Sequence, residues 1–156
     1  MGVPYTEEHI RTFTDLAQYT RVFERFPKKL KSSVVEKGVN MSGGEKQRLA
    51  LARGLLAAEQ KQIILFDEPT SSVDTKTELN IYQALMKSNK NKTFIVSVHR
   101  LHLLGMFDKV YMFEKGKIIA SGTLEGLLYI YISYIPKNLE EIPSSTQEIE
   151  KFYLIS

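Results

Sequence analysis

The chain has 156 residues, enough for one ordinary domain with its own core. Hydrophobic residues make up 43% and charged residues 25% of it, the composition of a globular protein, and the net charge is only +3. That mild basicity, with no dense Lys/Arg block, argues against a nucleic-acid partner, and a chain without cysteine can build neither a disulfide framework nor a thiolate metal centre. Met1 to Ile10 lacks the apolar core of a signal peptide, and no apolar run reaches the roughly 20 residues of a membrane-spanning helix.

Residues Thr6 to Phe26 place Ile10, Phe13, Leu16, Ala17, Val22, Phe23 and Phe26 at helical spacings, which predicts one or two amphipathic helices closed by Pro27. His9 lies in an exposed position of that pattern and reads as a surface residue. Lys28 to Asn40 is polar, contains Gly38 and reads as a loop. A helix is predicted over Glu45–Ala58, with Leu49, Ala52, Leu55 and Leu56 on one face. Ile63-Ile64-Leu65-Phe66 is a continuous apolar run, read as a parallel-type strand buried on both faces. Thr75 to Met86 reads as a helix, and Thr93 to Val98 as a second buried strand. Lys109–Glu114 and Lys117–Ala120 read as two more strands joined by a tight turn at Lys115-Gly116. Strand, helix, strand is the order of an α/β sheet with crossovers.

Three places carry candidate chemistry. Ser42-Gly43-Gly44 stands directly before a helix, so backbone N–H groups and the positive end of the helix dipole converge there, as in an anion site. Ser42 is also the expected N-cap, with Glu45 at capping-box spacing; a plain helix start is the simpler reading of the same residues. Asp67 and Glu68 end the first buried strand, at the sheet edge where α/β proteins bind ligands and where paired carboxylates hold Mg²⁺ beside a phosphate. The alternative is an acidic pair in a turn. His99 ends the second buried strand, which points it and Glu68 toward one edge. Asp74, after Pro69-Thr70-Ser71-Ser72-Val73, is placed to cap the next helix. His102 falls in the following turn.

Taken in order, Met41–Glu45, Ile63–Pro69, Ser71–Asp74 and Ser97–Arg100 closely resemble the ATP-binding cassette ATPases over roughly Thr6 to Leu128. Met41–Glu45 is similar to that family's signature motif, with Met41 and Glu45 as variations at its ends. Ile63–Asp67 resembles the Walker B strand. Glu36–Asn40 resembles the approach to the signature in exporter-type cassettes, and Asp108–Gly122 their closing hairpin.

The resemblance implies an α/β, partial P-loop NTPase fold: a helical subdomain followed by the second half of a mainly parallel core sheet. It divides the chain into 1–56, part of the helical subdomain; 57–128, the second half of the ATPase core; and 129–156, a tail without assigned role. It implies ATP and Mg²⁺, a second nucleotide-binding domain (identical or different) in a head-to-tail dimer, and a transmembrane partner holding the protein at the cytoplasmic face of the membrane. Ser42, Gly43, Gly44 and Glu45 would contact ATP held by the opposite subunit. Asp67 would orient Mg²⁺ through water, Glu68 would act as general base and His99 would sense the γ-phosphate. Ser71, Ser72 and Asp74 would form the D-loop at the subunit interface.

No Gly-x-x-x-x-Gly-Lys-Ser/Thr is present; the one Gly-Lys pair, Gly116-Lys117, is followed by Ile118 and has Tyr111 where the first glycine would stand. Gln18, in a helical pattern, lies too near Ser42 for the family's Q-loop glutamine. The chain is therefore expected to be the second half of a cassette and inactive alone. A non-catalytic module docking on a complete cassette is the alternative, and a soluble, non-transport cassette ATPase a third reading, disfavoured by the exporter-like approach to the signature. The apolar stretch Leu127–Ile135 departs from the helix expected there and reads as an extra strand, an aggregation-prone edge or foreign sequence. Glu140, Glu141 and Pro143–Ser156 read as a solvated end with a short helix.

Overall fold

The computed structural model describes residues 5–32, 41–134 and 151–155, which fall into two compact units. One comprises Met1–Gln62 and Pro69–Asn91, the other Ile63–Glu68 and Lys92–Ser156. The residues of 33–40 and 135–150, including Glu36–Asn40, Ile135, Glu140 and Glu141, lie outside the described residues.

The first unit is helical. Helix α1 (Glu7–Leu16) starts at Thr6, whose hydroxyl accepts the His9 N–H at 3.2 Å, and carries Glu7 and Glu8 in its first turn, where negative charge suits the helix dipole. It stops at Ala17, and Gln18 then takes a left-handed φ of 52°. Gln18 is thus a turn residue, not a helical one. Arg48 Nη1 donates to its carbonyl at 2.6 Å, which fixes the turn before α2 (Thr20–Phe23). Helix α3 (Gly43–Ala57) begins two residues earlier than its apolar pattern suggests, because the Ser42 cap sets the boundary. Leu51, Ala52 and Leu55 form its buried face, and α1 lies against it. Helix α4 (Thr75–Ser88) buries Ile81, Tyr82 and Leu85, at helical spacing. His9 is more than a surface residue: its Nε2 lies 2.9 Å from Glu59 Oε1, and its ring packs between Tyr5 and Phe13 at 5.2 and 5.5 Å.

The second unit is a five-stranded sheet in the order β1-β2-β5-β3-β4. Strands β1 (Ile63–Asp67) and β2 (Thr93–Val98) run parallel, with Asp67 opposite Ser97. Phe66 stacks on Phe94 with ring centroids 6.1 Å apart. Strands β3 (Lys109–Glu114) and β4 (Lys117–Gly122) form the expected hairpin. Its two-residue turn has positive φ at both Lys115 (47°) and Gly116 (74°), the combination whose twist matches the flanking strands.

Three sequence expectations change here. First, β1 is not buried on both faces: Ile64 is buried, but Ile63 and Leu65 on the opposite face are 66% and 70% exposed. Alternation, hidden in a run of uniformly apolar residues, decides which side faces the core. Second, Leu127–Ile135 does not open a strand; helix α5 (Leu124–Tyr134) runs through it as far as Tyr134. Thr123 caps that helix, its Oγ1 accepting the Gly126 N–H at 3.1 Å, and local capping outweighs the β-prone Tyr and Ile residues. Third, Lys151–Ile155 is not part of a solvated end. Strand β5 (Lys151–Ile155) sits inside the sheet, antiparallel to both β2 and β3, with Leu154 completely buried. Parallel pairing is therefore confined to β1 and β2 among the described strands, and the sheet is mixed.

Candidate functional site

In the first unit the chemistry gathers where α3 and α4 begin. Ser42 closes a full capping box: its Oγ accepts the Glu45 N–H at 3.2 Å, and Glu45 Oε2 accepts the Ser42 N–H at 2.8 Å. The same carboxylate pairs with Arg25. The backbone bond from Ser42 holds Glu45 below the usual carboxylate range against the opposing effect of burial, and Arg25 assists. Gly43 and Gly44 are then the first two residues of α3, whose N–H groups have no acceptor within the helix.

The loop before α4 lies against this turn. A Cβ on Gly44 would stand 2.7 Å from the Ser72 carbonyl oxygen, so only glycine allows the approach. Gln47 bridges to the loop, its Nε2 donating to Ser71 Oγ at 2.9 Å and its Oε1 accepting the Ser72 N–H at 2.8 Å. Asp74 caps α4 by accepting the Thr77 N–H at 3.0 Å, and that bond keeps its carboxylate acidic. Thr70 hydrogen-bonds the buried Glu78 at 2.5 Å and anchors the loop's other end. Between turn and loop lies an open hollow of about 370 Å³, lined by Ser42, Gly43, Gly44, Arg48, Ser72, Val73 and Asp74. The positive end of α3 and Arg48 bring positive charge to it, and Asp74 brings a carboxylate. Gln47, Arg48 and Thr70 are structural contributors that sequence reasoning missed; no spacing rule marks a glutamine that reaches a loop 24 positions away.

In the second unit, Asp67, Glu68, Ser97 and His99 meet at the carboxyl ends of β1 and β2. The parallel register sets Asp67 beside Ser97, and Ser97 Oγ donates to Asp67 Oδ1 at 2.5 Å. The Glu68 N–H reaches both the Ser97 carbonyl, at 3.2 Å, and Ser97 Oγ, at 3.1 Å. These bonds hold Glu68 in a left-handed conformation, φ 46°, that a non-glycine residue adopts at a cost of about 1–3 kcal/mol. The turn brings Glu68 Oε1 to 2.7 Å from His99 Nε2, with both side chains partly exposed. A carboxylate and an imidazole in contact at a strand end can bind, orient and deprotonate a water. Among the described residues no three Asp, Glu or His side chains gather into a metal cage. A Mg²⁺ ion shared with phosphate oxygens needs only one or two carboxylates, and the oriented Asp67 fits that use. His102 lies in the 3-10 turn Leu101–Met106, outside this group.

Comparison with known proteins points to a family. Residues 5–71 match the family described as ABC transporter. A solved chain titled "Structure of a bacterial Atm1-family ABC exporter with ATP bound" superposes with a TM-score of 0.72 at 30% identity, covering 81% of this chain and 22% of that one. These matches support an ATP-binding cassette nucleotide-binding domain. The chain's likeness is to the exporter-type nucleotide-binding domain. It is 37% identical over 138 residues to the multidrug resistance ABC transporter ATP-binding and permease protein of Lactococcus lactis, covering 86% of this chain and 23% of that protein. It is 36% identical over 157 residues to the mitochondrial iron-sulfur clusters transporter ATM1 of Debaryomyces hansenii, covering 94% and 22%. The chain thus spans under a quarter of the length of these relatives. Among the described residues no helix is long and apolar enough to cross a membrane.

Proposed function

We propose that this chain supplies the signature and Walker B half of an exporter-type cassette ATPase. The observation that carries the reading is the Glu68–His99 contact of 2.7 Å at the ends of two parallel strands, next to an Asp67 held in place by Ser97. In this reading Glu68 draws a proton from the attacking water, and His99 holds that carboxylate and contacts the γ-phosphate. Asp67 would orient Mg²⁺ through water. The ion neutralises charge on the phosphates when bound.

The turn Ser42–Gly44, with Glu45 holding it, acts on ATP bound by an opposite nucleotide-binding domain. Ser71, Ser72 and Asp74 line the contact between the two domains. The partners are that second domain, identical or different, and a transmembrane domain that sets the ATPase at the cytoplasmic face of the membrane. The fused ATP-binding and permease organisation named for the Lactococcus relative supports this.

The test is Glu68→Gln in the cassette completed by a phosphate-loop segment. ATP hydrolysis is expected to fall by about 10²-fold or more, the range of a lost general base, while ATP still binds. A steady-state rate near wild type would remove Glu68 from this role. The 156-residue chain alone is expected to bind ATP weakly and not hydrolyse it, because its sequence contributes no phosphate loop; micromolar affinity would contradict that part of the reading.

A further inference from the structure

We propose that Gln47 is a positioning residue that locks the Ser71–Asp74 loop to the Ser42–Gly44 turn, so that the two shift as one body. Of the four polar side chains after the turn, Glu45, Gln47 and Arg48 divide their work. Glu45 folds back to the Ser42 N–H, and Arg48 reaches the Gly44 carbonyl at 3.3 Å and the Gln18 carbonyl at 2.6 Å. Gln47 reaches forward and hydrogen-bonds the loop with both ends of its amide, while the Arg48 charge also acts on Asp74. The orientation of that amide follows from chemistry: Ser72 presents a backbone N–H, so the carbonyl end must face it, and the NH₂ end is left to donate to Ser71 Oγ.

A single planar group therefore fixes two successive residues of the loop. Close backbone packing of Ser72 on Gly44 removes the slack between the two elements. Beyond Ser72 the loop has little freedom. Val73 is buried and donates its N–H to the Thr70 carbonyl at 2.9 Å, and Asp74 is committed to the α4 cap. A displacement of the turn is thereby passed to Asp74 through a chain of short, directional bonds.

The consequence for activity rests on the proposed function, in which the turn meets phosphate and the loop meets the opposite domain; the clamp itself does not. Two substitutions separate them. Gln47→Met keeps the length and a good helix former but removes both bonds. Gln47→Glu keeps an acceptor for the Ser72 N–H and can accept from the Ser71 hydroxyl, so it serves as the rescue variant. In the full chain, hydrogen exchange at the Ser72 amide is expected to accelerate about tenfold in Gln47→Met and to stay within about threefold of wild type in Gln47→Glu. Unchanged Ser72 exchange in Gln47→Met overturns the clamp.

In the completed cassette, Gln47→Met is expected to lower kcat about tenfold with the KM for ATP within about twofold, and Gln47→Glu to restore most of kcat. Faster exchange with unchanged kcat, in a cassette that Glu68→Gln inactivates, overturns the coupling of turn to loop. If Glu68→Gln remains active while Ser72 exchange responds as expected, the clamp stands and the proposed function is what has failed.

Discussion

In the first unit the Ser42–Gly44 turn and the Ser71–Asp74 loop are pinned by two helix caps and a bridging amide, whereas in the second unit the ends of β1 and β2 depend on the hydroxyl of Ser97. The first arrangement spends local geometry that the sequence favours: Ser and Asp at N-caps, glycine at a close approach. The second holds Glu68 against its own conformational preference and leaves its side chain and that of His99 partly exposed. A surface that must keep its shape when a partner arrives gains from the first kind of construction. On the proposed function, groups that reposition around a reacting phosphate gain from the second.

The strongest way to break this contrast is Ser97→Ala. The hydroxyl is buried, and it serves Asp67 and the Glu68 N–H together. Its loss is expected to cost about 1–3 kcal/mol, because the Asp67 carboxylate loses this donor and the Glu68 N–H loses one of its two Ser97 acceptors. Chemical denaturation measures the cost, and a value under about 0.5 kcal/mol, typical of an uncoupled surface change, would show that the strand ends do not hang on Ser97.

Next in size is the pair Gly44→Ala and Gly43→Ala. At Gly44 the new methyl meets the Ser72 carbonyl at 2.7 Å and forces backbone apart, while at Gly43 its nearest neighbour is Ser72 Cβ at 3.8 Å, an ordinary contact. Overpacking costs about 1–3 kcal/mol. Better helix propensity returns up to about 1 kcal/mol. Gly44→Ala is expected to destabilise by about 1–2 kcal/mol net, and Gly43→Ala to be neutral. Equal effects at the two positions would mean that the loop is not seated on the turn.

Glu68→Gly sharpens the comparison from the other side. Glycine accepts φ of 46° freely, so the left-handed strain at this position disappears. The extra freedom of glycine in the unfolded chain offsets part of the gain, and a rise of up to about 1 kcal/mol in stability is expected, with His99 deprived of this carboxylate. A loss of stability would show that the Glu68 side chain contributes more than its backbone costs. The same substitution on the stiff side of the comparison has no counterpart: neither Ser42 nor Asp74 has positive φ.

Much of this was legible in the residues, for identifiable reasons. Caps announce themselves locally, so Ser42 with Glu45, and Asp74 before Thr75, were read correctly from spacing alone. Parallel pairing of β1 and β2 followed from two apolar runs separated by a helix, and it carried Glu68 and His99 together. The misses share a different cause. The exposed face of β1 could not be seen because Ile63, Ile64 and Leu65 are chemically alike, and only neighbours in space distinguish them. Strand β5 pairs Lys151–Ile155 with β2 and β3, partners remote in the chain, so nothing local separates it from a solvated tail. Helix α5 does carry a local signal, Thr123 as its cap, which the β-prone residues beyond it mask. Gln47, like Thr70, acts across sequence distance, and its role exists only in the folded loop.

The smallest expected effect is the acid sensitivity of the stiff region. Glu45 has its carboxyl pKa lowered from an ordinary 4.5, chiefly by the Ser42 N–H and then by Arg25. A group whose folded pKa lies below its unfolded one stabilises fully above the unfolded value and loses that contribution as pH falls through the folded one. Stability of the wild-type chain should therefore decline as pH drops below about 4.5, the Asp74 cap adding a decline of the same sign from its Thr77 bond. Gln at position 45 can still accept the Ser42 N–H but does not titrate, so Glu45→Gln should be less stable than wild type at neutral pH, where the Arg25 pair is lost. The two should converge as the medium becomes more acid. Urea denaturation followed by circular dichroism at pH 7 and pH 3.5 reads this directly. Parallel curves with a constant gap between the two chains would mean that the Glu45 charge plays no part in holding the turn, and that the capping bonds alone account for its stiffness.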